Sequence, residues 1–218
     1  MLLVACVGVL GLTCPQPTYA TANSIPNPKW FWDLGNNGTP DADVPVSPAG
    51  AGWSSLALSR LQDAIGEWSS NTSFQPYYAS SGYYHVYRDG TAPDGGFGPC
   101  DVMVTVTWYD FRGTYYDIHR THTYAQSDAD LPGTMARFWY GTSHSGLSTD
   151  VDSQGVLTHE LGHWVLLNDL GPSYGTDCNY GTGMYTMCGE LRDPGFDDDS
   201  WRQRSLTTND IDSANAVY

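Results

Sequence analysis

Apolar and polar residues alternate in a pattern that predicts one helix, followed by strands, in the first half of the chain. Across residues 54–69 the apolar positions recur at helical spacing, and Ser54 can cap the first turn. Between residues 102 and 108 every second residue is Val or Trp, which is typical of a strand. Further strands are predicted at residues 83–87 and 134–142.

A second helix is predicted in the second half of the chain. It begins near Asp152 or Ser153, either of which can accept a hydrogen bond from the free N–H groups of the first turn. It continues to Val165, with apolar residues at Val156, Leu157, Leu161 and Trp164. This order of elements predicts an α+β fold, and 218 residues suit one domain with a substantial core.

The N-terminal residues have the character of an export signal. Residues 1–20 carry no charge, and their apolar run at residues 2–12 is too short for a bilayer, which needs about 20 apolar residues. We predict a secretory signal peptide at residues 1–20, an extended arm at residues 21–52 and the folded domain at residues 53–218. A buried N-terminal strand is the alternative for the first segment. Secretion would leave the mature protein extracellular and without a membrane anchor.

Composition narrows the classes of partner. The chain has 9 Lys and Arg residues against 24 Asp and Glu residues, which gives a formal net charge of −15. Because phosphate contacts require clustered basic side chains, we expect no nucleic-acid partner. The hydrophobic fraction of 40%, with 8 Trp and 15 Tyr residues, indicates a folded protein rather than a disordered one.

The cysteines fit an oxidising compartment. Of the five, Cys6 and Cys14 would leave with the signal peptide. Cys178 and Cys188 bracket a loop rich in Gly and Tyr, where a short disulfide is plausible in a secreted protein, and Cys100 is then left over. No C-x-x-C pair is present, which argues against a zinc site built from cysteines.

The strongest chemical signal lies within the second predicted helix. Residues 159–163 read His-Glu-Leu-Gly-His, the H-E-x-x-H pattern. Since residues four apart share one face of a helix, His159 and His163 could bind Zn²⁺ together, and Glu160 could take a proton from a metal-bound water. The alternative is an ordinary helix with solvated His and Glu. Apolar residues flank the motif on both sides, however, and unpaired polar groups are costly in a buried helix.

Two segments resemble a known family. Residues 151–163 (VDSQGVLTHELGH) resemble the active-site helix of the matrixin-type metzincins, which are secreted zinc endopeptidases, and residues 206–218 resemble their closing helix. Weaker likeness in the order of elements extends back to Trp53. The resemblance implies a twisted, mixed, mostly parallel five-stranded sheet packed with an active-site helix and a C-terminal helix. It also implies a third zinc ligand six residues after the second His and a methionine-containing turn beneath the metal.

Asp169 stands at the position of that third ligand, where the snapalysin-like bacterial metzincins also have Asp. The family's Gly, three residues after the second His, is Leu166 in this chain. A helix that continued straight would carry Asp169 away from the metal, so the chain must turn. Because a left-handed conformation costs a residue such as Leu about 1–2 kcal/mol, we expect Asn168 or Gly171 to make the turn.

Other residues compete for the ligand position. Asp177 lies in a segment that resembles the aspzincin pattern with one residue missing, Glu190 has the spacing of a gluzincin ligand, and His144 is a further alternative. Met187 is our choice for the turn beneath the metal, with Met184 as the alternative and a gap-filling loop methionine as the simplest interpretation.

Two further features of the sequence suggest a calcium site and a substrate-binding strand, on weaker grounds than the H-E-x-x-H motif. The carboxylates of Asp128, Asp130 and residues 197–199 could bind a structural Ca²⁺, although a solvated acidic loop is the favoured interpretation. Residues 134–142 correspond in order to the family's edge strand, which binds an extended substrate by strand addition. Their alternative is a plain strand of the core sheet.

These observations predict a monomeric, secreted zinc endopeptidase that acts on protein or peptide substrates through a metal-activated water. Glu160 would be the general base, and His159, His163 and Asp169 the metal ligands. Two alternatives remain open: an extracellular binding module that keeps the metal without turnover, and a zinc hydrolase of another polymer such as peptidoglycan.

Overall fold

The computed structural model describes residues 4–7, 9–10, 29–82, 84–88, 97, 102–131, 136–143, 145–147, 149–167, 186–187, 190–191 and 203–218. Over these residues the chain is an α+β structure with three α-helices and a mostly parallel sheet. The helices are α1 (Ser55–Asn71), α2 (Ser153–Trp164) and α3 (Thr208–Asn215). The strands are β1 (Val4–Val7), β2 (Val9–Leu10), β3 (Lys29–Trp32), β4 (Pro45–Ala49), β5 (Tyr77–Tyr78), β6 (His85–Tyr87), β7 (Met103–Phe111), β8 (Tyr115–Ala125), β9 (Arg137–Trp139), β10 (Asp150–Asp152) and β11 (Glu190–Leu191).

The main sheet is organised around the long strand β8. Strand β7 pairs with β8 antiparallel along its whole length, while β3 and β6 pair with successive parts of its other edge in parallel. Strand order is β1-β7-β8-β6-β4-β5, with β3 beside β8. The prediction of a mixed, mostly parallel sheet is confirmed. The predicted number of strands, five, was wrong: among the described residues the main sheet has seven strands, and three of them (β1, β3 and β4) come from residues before position 53.

The N-terminal strands come from segments that the sequence analysis placed outside the folded domain. Strand β1 pairs with β7, and β2 pairs with β11, in a chain that still carries the predicted signal peptide. These pairings describe the uncleaved chain, and removal of residues 1–20 stays a prediction. In the predicted arm, β3 and β4 bring Trp32 and Val46 into the core, where neither is exposed to solvent. Among the described helices, none is both long and apolar enough to cross a membrane.

The alternation in β7 decides what lies on each face of the sheet. Val104, Val106 and Trp108 belong to a small cluster on one face. The intervening positions point to the opposite face, where Met103 joins the main core and Thr105 lies beside α2. The strand predicted at residues 102–108 is therefore confirmed. Its pairing with β8 shifts register between Trp108 and Tyr109, which is a β-bulge.

Helices α1 and α2 pack against each other beside this sheet. Ser54 caps α1 by accepting a hydrogen bond from the Ala57 N–H group, as the sequence predicts. The apolar face of α1 ends at Trp68, which is fully buried and donates its indole N–H to the Thr158 carbonyl of α2 at 2.8 Å. Helix α2 is buried on nearly all sides, so its polar residues depend on specific partners.

An ion pair fixes the start of α2. Asp152, which is inaccessible to solvent, caps the helix by accepting from the Gly155 N–H group at 2.8 Å. The Arg204 guanidinium donates to both oxygens of the same carboxylate, at 2.9 and 2.5 Å, and also to the carbonyls of Gly141 and Thr142. The chain before α3, the chain after β9 and the first turn of α2 therefore meet at one guanidinium.

Replacing Arg204 with Leu should lower the free energy of unfolding by about 3–5 kcal/mol, because the substitution removes the cation from a buried carboxylate. Urea denaturation at neutral pH would measure the loss. The matched control is Asp63→Asn in the pair Arg60–Asp63, where the Asp63 side chain is 42% exposed. That substitution should cost about 1 kcal/mol or less. Equal losses in the two variants would contradict the greater contribution to stability that we assign to the buried pair Arg204–Asp152.

Candidate metal centre

The candidate centre lies on α2, where the H-E-x-x-H motif is buried. His159, Glu160 and His163 are 3%, 1% and 1% exposed. Each contributes a potential ligand atom, and these atoms lie within 4.8 Å of one another. The helix brings the two imidazoles to one face, as the four-residue spacing predicts.

Two backbone carbonyls fix the protonation of the histidine rings. His159 Nδ1 lies 2.8 Å from the Thr186 carbonyl oxygen, and His163 Nδ1 lies 2.7 Å from the Leu167 carbonyl oxygen. Since a carbonyl only accepts, both Nδ1 atoms carry the proton. In the neutral imidazole the lone pair is then on Nε2, which is the arrangement found when a histidine binds a metal through Nε2.

The two Nε2 atoms lie 3.2 Å apart, with the ring planes nearly perpendicular. Two nitrogens bound to one tetrahedral zinc at about 2.0–2.1 Å are about 3.3–3.4 Å apart, so the observed spacing fits a shared Zn²⁺. The nitrogen donor set and its spacing therefore suit zinc.

The chain turns sharply just after α2. Leu166 adopts a left-handed conformation with φ of 59°, and the Leu167 N–H group donates to the Gly162 carbonyl at 3.1 Å. Our expectation that Leu166 would not make the turn was wrong: the conformational cost is offset by these hydrogen bonds and by packing of the Leu166 side chain against the core. The turn is what brings the Leu167 carbonyl back to His163.

A second turn, at Thr186 and Met187, closes the floor of the centre. Met187 is fully buried, and its side chain lies against Gly162, the residue before the second histidine. A methyl group on Gly162 would overlap Met187 Sδ and lie 3.2 Å from the ring of Trp68. Helix α3 anchors the turn, since the Asp210 carboxylate accepts from the Thr186 N–H group at 3.3 Å.

Glu160 has a partner that the sequence analysis did not single out. Thr105 Oγ1 on β7 donates to Glu160 Oε2 at 2.5 Å. The alternation of β7 places residue 105 on the face opposite the valines, but nothing local in the sequence indicates that α2 packs there.

Several predicted residues lie outside the described part of the chain, namely Asp169, Asp177, His144, Met184, Cys14, Cys100, Cys178, Cys188 and residues 197–199. For Glu190 and Cys6 the structure describes the strand but not the side chain. The third ligand and the disulfide therefore stay predictions.

The two described acidic candidates for calcium have roles in local structure. Asp128 Oδ1 accepts from the Phe138 N–H group of β9 at 3.0 Å, and Asp130 Oδ2 accepts from the Ser127 hydroxyl at 2.5 Å. They lie in the short 3-10 helix Asp128–Asp130, which precedes β9. Strand β9 itself, within the predicted substrate-binding segment, pairs in parallel with β10. Calcium binding here stays a prediction.

Replacing Gly162 with Ala should destabilise the fold by about 1–3 kcal/mol, because the new methyl group displaces Met187 in a fully packed space. Thermal unfolding monitored by circular dichroism would measure the change. Gly66 is a matched control in α1, since a methyl group there meets no atom within 4 Å. Gly66→Ala should stabilise the protein by up to about 1 kcal/mol. Stabilisation by both substitutions would contradict the tight packing at Gly162.

Comparison with known proteins identified no relative of this chain. No protein-family model matches the chain, and no curated protein matches it either.

Proposed function

We propose that the chain is a secreted, zinc-dependent endopeptidase. The observation that carries the proposal is the pair of Nε2 atoms 3.2 Å apart, with both Nδ1 protons held by backbone carbonyls and with Glu160 beside them. Secretion is proposed from the apolar, uncharged segment at residues 1–20.

His159 and His163 would hold the metal through Nε2, and Asp169 is the proposed third ligand. A zinc ion held there would supply Lewis-acid chemistry, lowering the pKa of a water bound to it toward 7 and polarising the carbonyl of the substrate. The turn at Leu166 supports Asp169, because α2 ends at Trp164 and the chain has already folded back beside His163 at Leu167. A carboxylate is shorter than an imidazole, so Asp169 requires such a close approach of the backbone.

Glu160 is the proposed general base. Its carboxylate takes a proton from the attacking water and then delivers it to the leaving amine. Burial supports this role, because at 1% exposure the carboxylate is shielded from bulk solvent and lies within 4.8 Å of the histidine nitrogens. A protein that only binds metal does not require a base at this position.

Strand β9 is the proposed binding site for an extended peptide substrate. It runs parallel to β10, and β10 leads directly into α2 at Ser153. A peptide that adds to a strand edge gains affinity from main-chain hydrogen bonds, which suits a protease that accepts varied side chains. The proposed substrates are therefore unfolded or flexible segments of proteins, and we expect the enzyme to act as a monomer.

Replacing Glu160 with Gln should lower kcat at least about 10²-fold while zinc content stays near one per chain, because the substitution removes the base but not the nitrogen ligands. Casein hydrolysis and metal analysis of the purified protein would measure both. The control is Glu67→Gln in α1, where the Glu67 side chain accepts from the Leu206 N–H group and should keep that bond. Undiminished hydrolysis by the Glu160 variant would refute the endopeptidase mechanism.

Removing the metal with a chelator should abolish hydrolysis, and adding Zn²⁺ should restore it. Zinc should also raise the melting temperature of the metal-free protein, because a ligand at a hundred times its Kd stabilises the folded state by about 2.7 kcal/mol. In His159→Ala the zinc-dependent shift should be lost. Zinc uptake without any hydrolysis would favour the binding module, and no uptake by the unaltered protein would reject the metal site.

A further inference from the structure

A continuous chain of hydrogen bonds connects the end of α2 to the carboxylate of Glu160 through two strands. Trp164 Nε1 donates to Thr123 Oγ1 on β8 at 2.9 Å. Thr123 Oγ1 lies 2.8 Å from Thr105 Oγ1 on β7, and Thr105 Oγ1 lies 2.5 Å from Glu160 Oε2. The Glu160 main-chain oxygen is 3.5 Å from the same hydroxyl, so the carboxylate is the nearer acceptor.

The two ends of this chain determine the direction of its hydrogen bonds. An indole nitrogen only donates, and an ionised carboxylate only accepts. Thr105 must therefore donate to Glu160, and Thr123 must donate to Thr105. All four residues are buried, with Thr105 and Thr123 each 1% exposed, so exchange with bulk water does not compete with these bonds.

We propose that Thr105 is a positioning residue for Glu160. The torsion that rotates a glutamate carboxylate has broad minima, so the side chain alone does not fix the plane of the carboxylate. A short hydrogen bond to a hydroxyl anchored in the sheet does fix it. General-base catalysis depends on the distance and direction from the carboxylate oxygen to the proton that it takes. This inference rests on the proposed function, since it assigns a role to Thr105 only if Glu160 is the base.

The same two strands contain a second pair of threonines that has no hydrogen bond to Glu160 and therefore serves as a control. Thr107 and Thr121 face each other on the same two strands at 3.1 Å, two residues further along, and both are buried. Loss of the Thr107 hydroxyl perturbs the sheet in the same way as loss of the Thr105 hydroxyl, but it lies outside the hydrogen-bond chain that ends at Glu160.

The experiment compares Thr105→Val, Thr105→Ser and Thr107→Val in the zinc-loaded full chain. Thr105→Val should lower kcat about tenfold or more with little change in KM, because the base loses its orientation while the substrate still binds. Thr105→Ser keeps the hydroxyl and should recover most of kcat, and Thr107→Val should stay within about twofold of the unaltered protein. Zinc affinity, measured by competition with a chromogenic chelator, should be the same in all three variants.

A double-mutant cycle separates positioning from a general structural effect. In the Glu160→Gln background, Thr105→Val should cause almost no further loss of residual activity, because the residue acts through Glu160. If Thr105→Val does not fold, Thr105→Ala takes its place in the cycle.

Other results would refute either the role of Thr105 or the proposed function, and the two cases can be told apart. Equal effects of Thr105→Val and Thr107→Val, lowered zinc affinity in Thr105→Val alone, or an undiminished loss in the Glu160→Gln background would overturn the role of Thr105 while leaving the proposed function intact. Full activity of Glu160→Gln would instead overturn the proposed function itself.

Discussion

The candidate centre depends on the hydrogen bonds that two backbone carbonyls accept from the histidine rings. Without the Thr186 and Leu167 carbonyls, each imidazole could rotate or exchange the proton between its nitrogens, and the two Nε2 atoms would not present lone pairs to one point. Both carbonyls belong to turns rather than to regular elements. The precision of the site is therefore set by how firmly those turns are held.

Three contacts from other parts of the molecule hold α2 and these turns in place. The Asp210 carboxylate of α3 anchors the turn at Thr186, and Arg204 anchors the first turn of α2 through Asp152. At the other end of α2, Trp32 of β3 donates its indole N–H to the Trp164 carbonyl at 2.9 Å. Because these contacts join residues far apart in the chain, the centre is preorganised only when the whole domain has folded.

Local patterns predicted a good part of this arrangement. Helical periodicity predicted α1 and α2, strict alternation predicted β7, and the four-residue spacing placed both histidines on one face of α2. The partners of the motif were not predictable in the same way. Leu167 and Thr186 act through main-chain oxygens, which leave no side-chain signal, and the contact between Thr105 and Glu160 depends on the packing of α2 against β7. Strands β3 and β4, in the predicted arm, were missed because short strands carry little periodicity of their own.

The turn at Leu166 puts a leucine where the backbone is left-handed. A glycine is usually expected where the backbone enters the left-handed region, since no side chain then opposes the conformation. Here a leucine occupies it, and its side chain gains contacts with the core in return. A large apolar residue can therefore take the left-handed position at this turn, because the core lies within reach of its side chain.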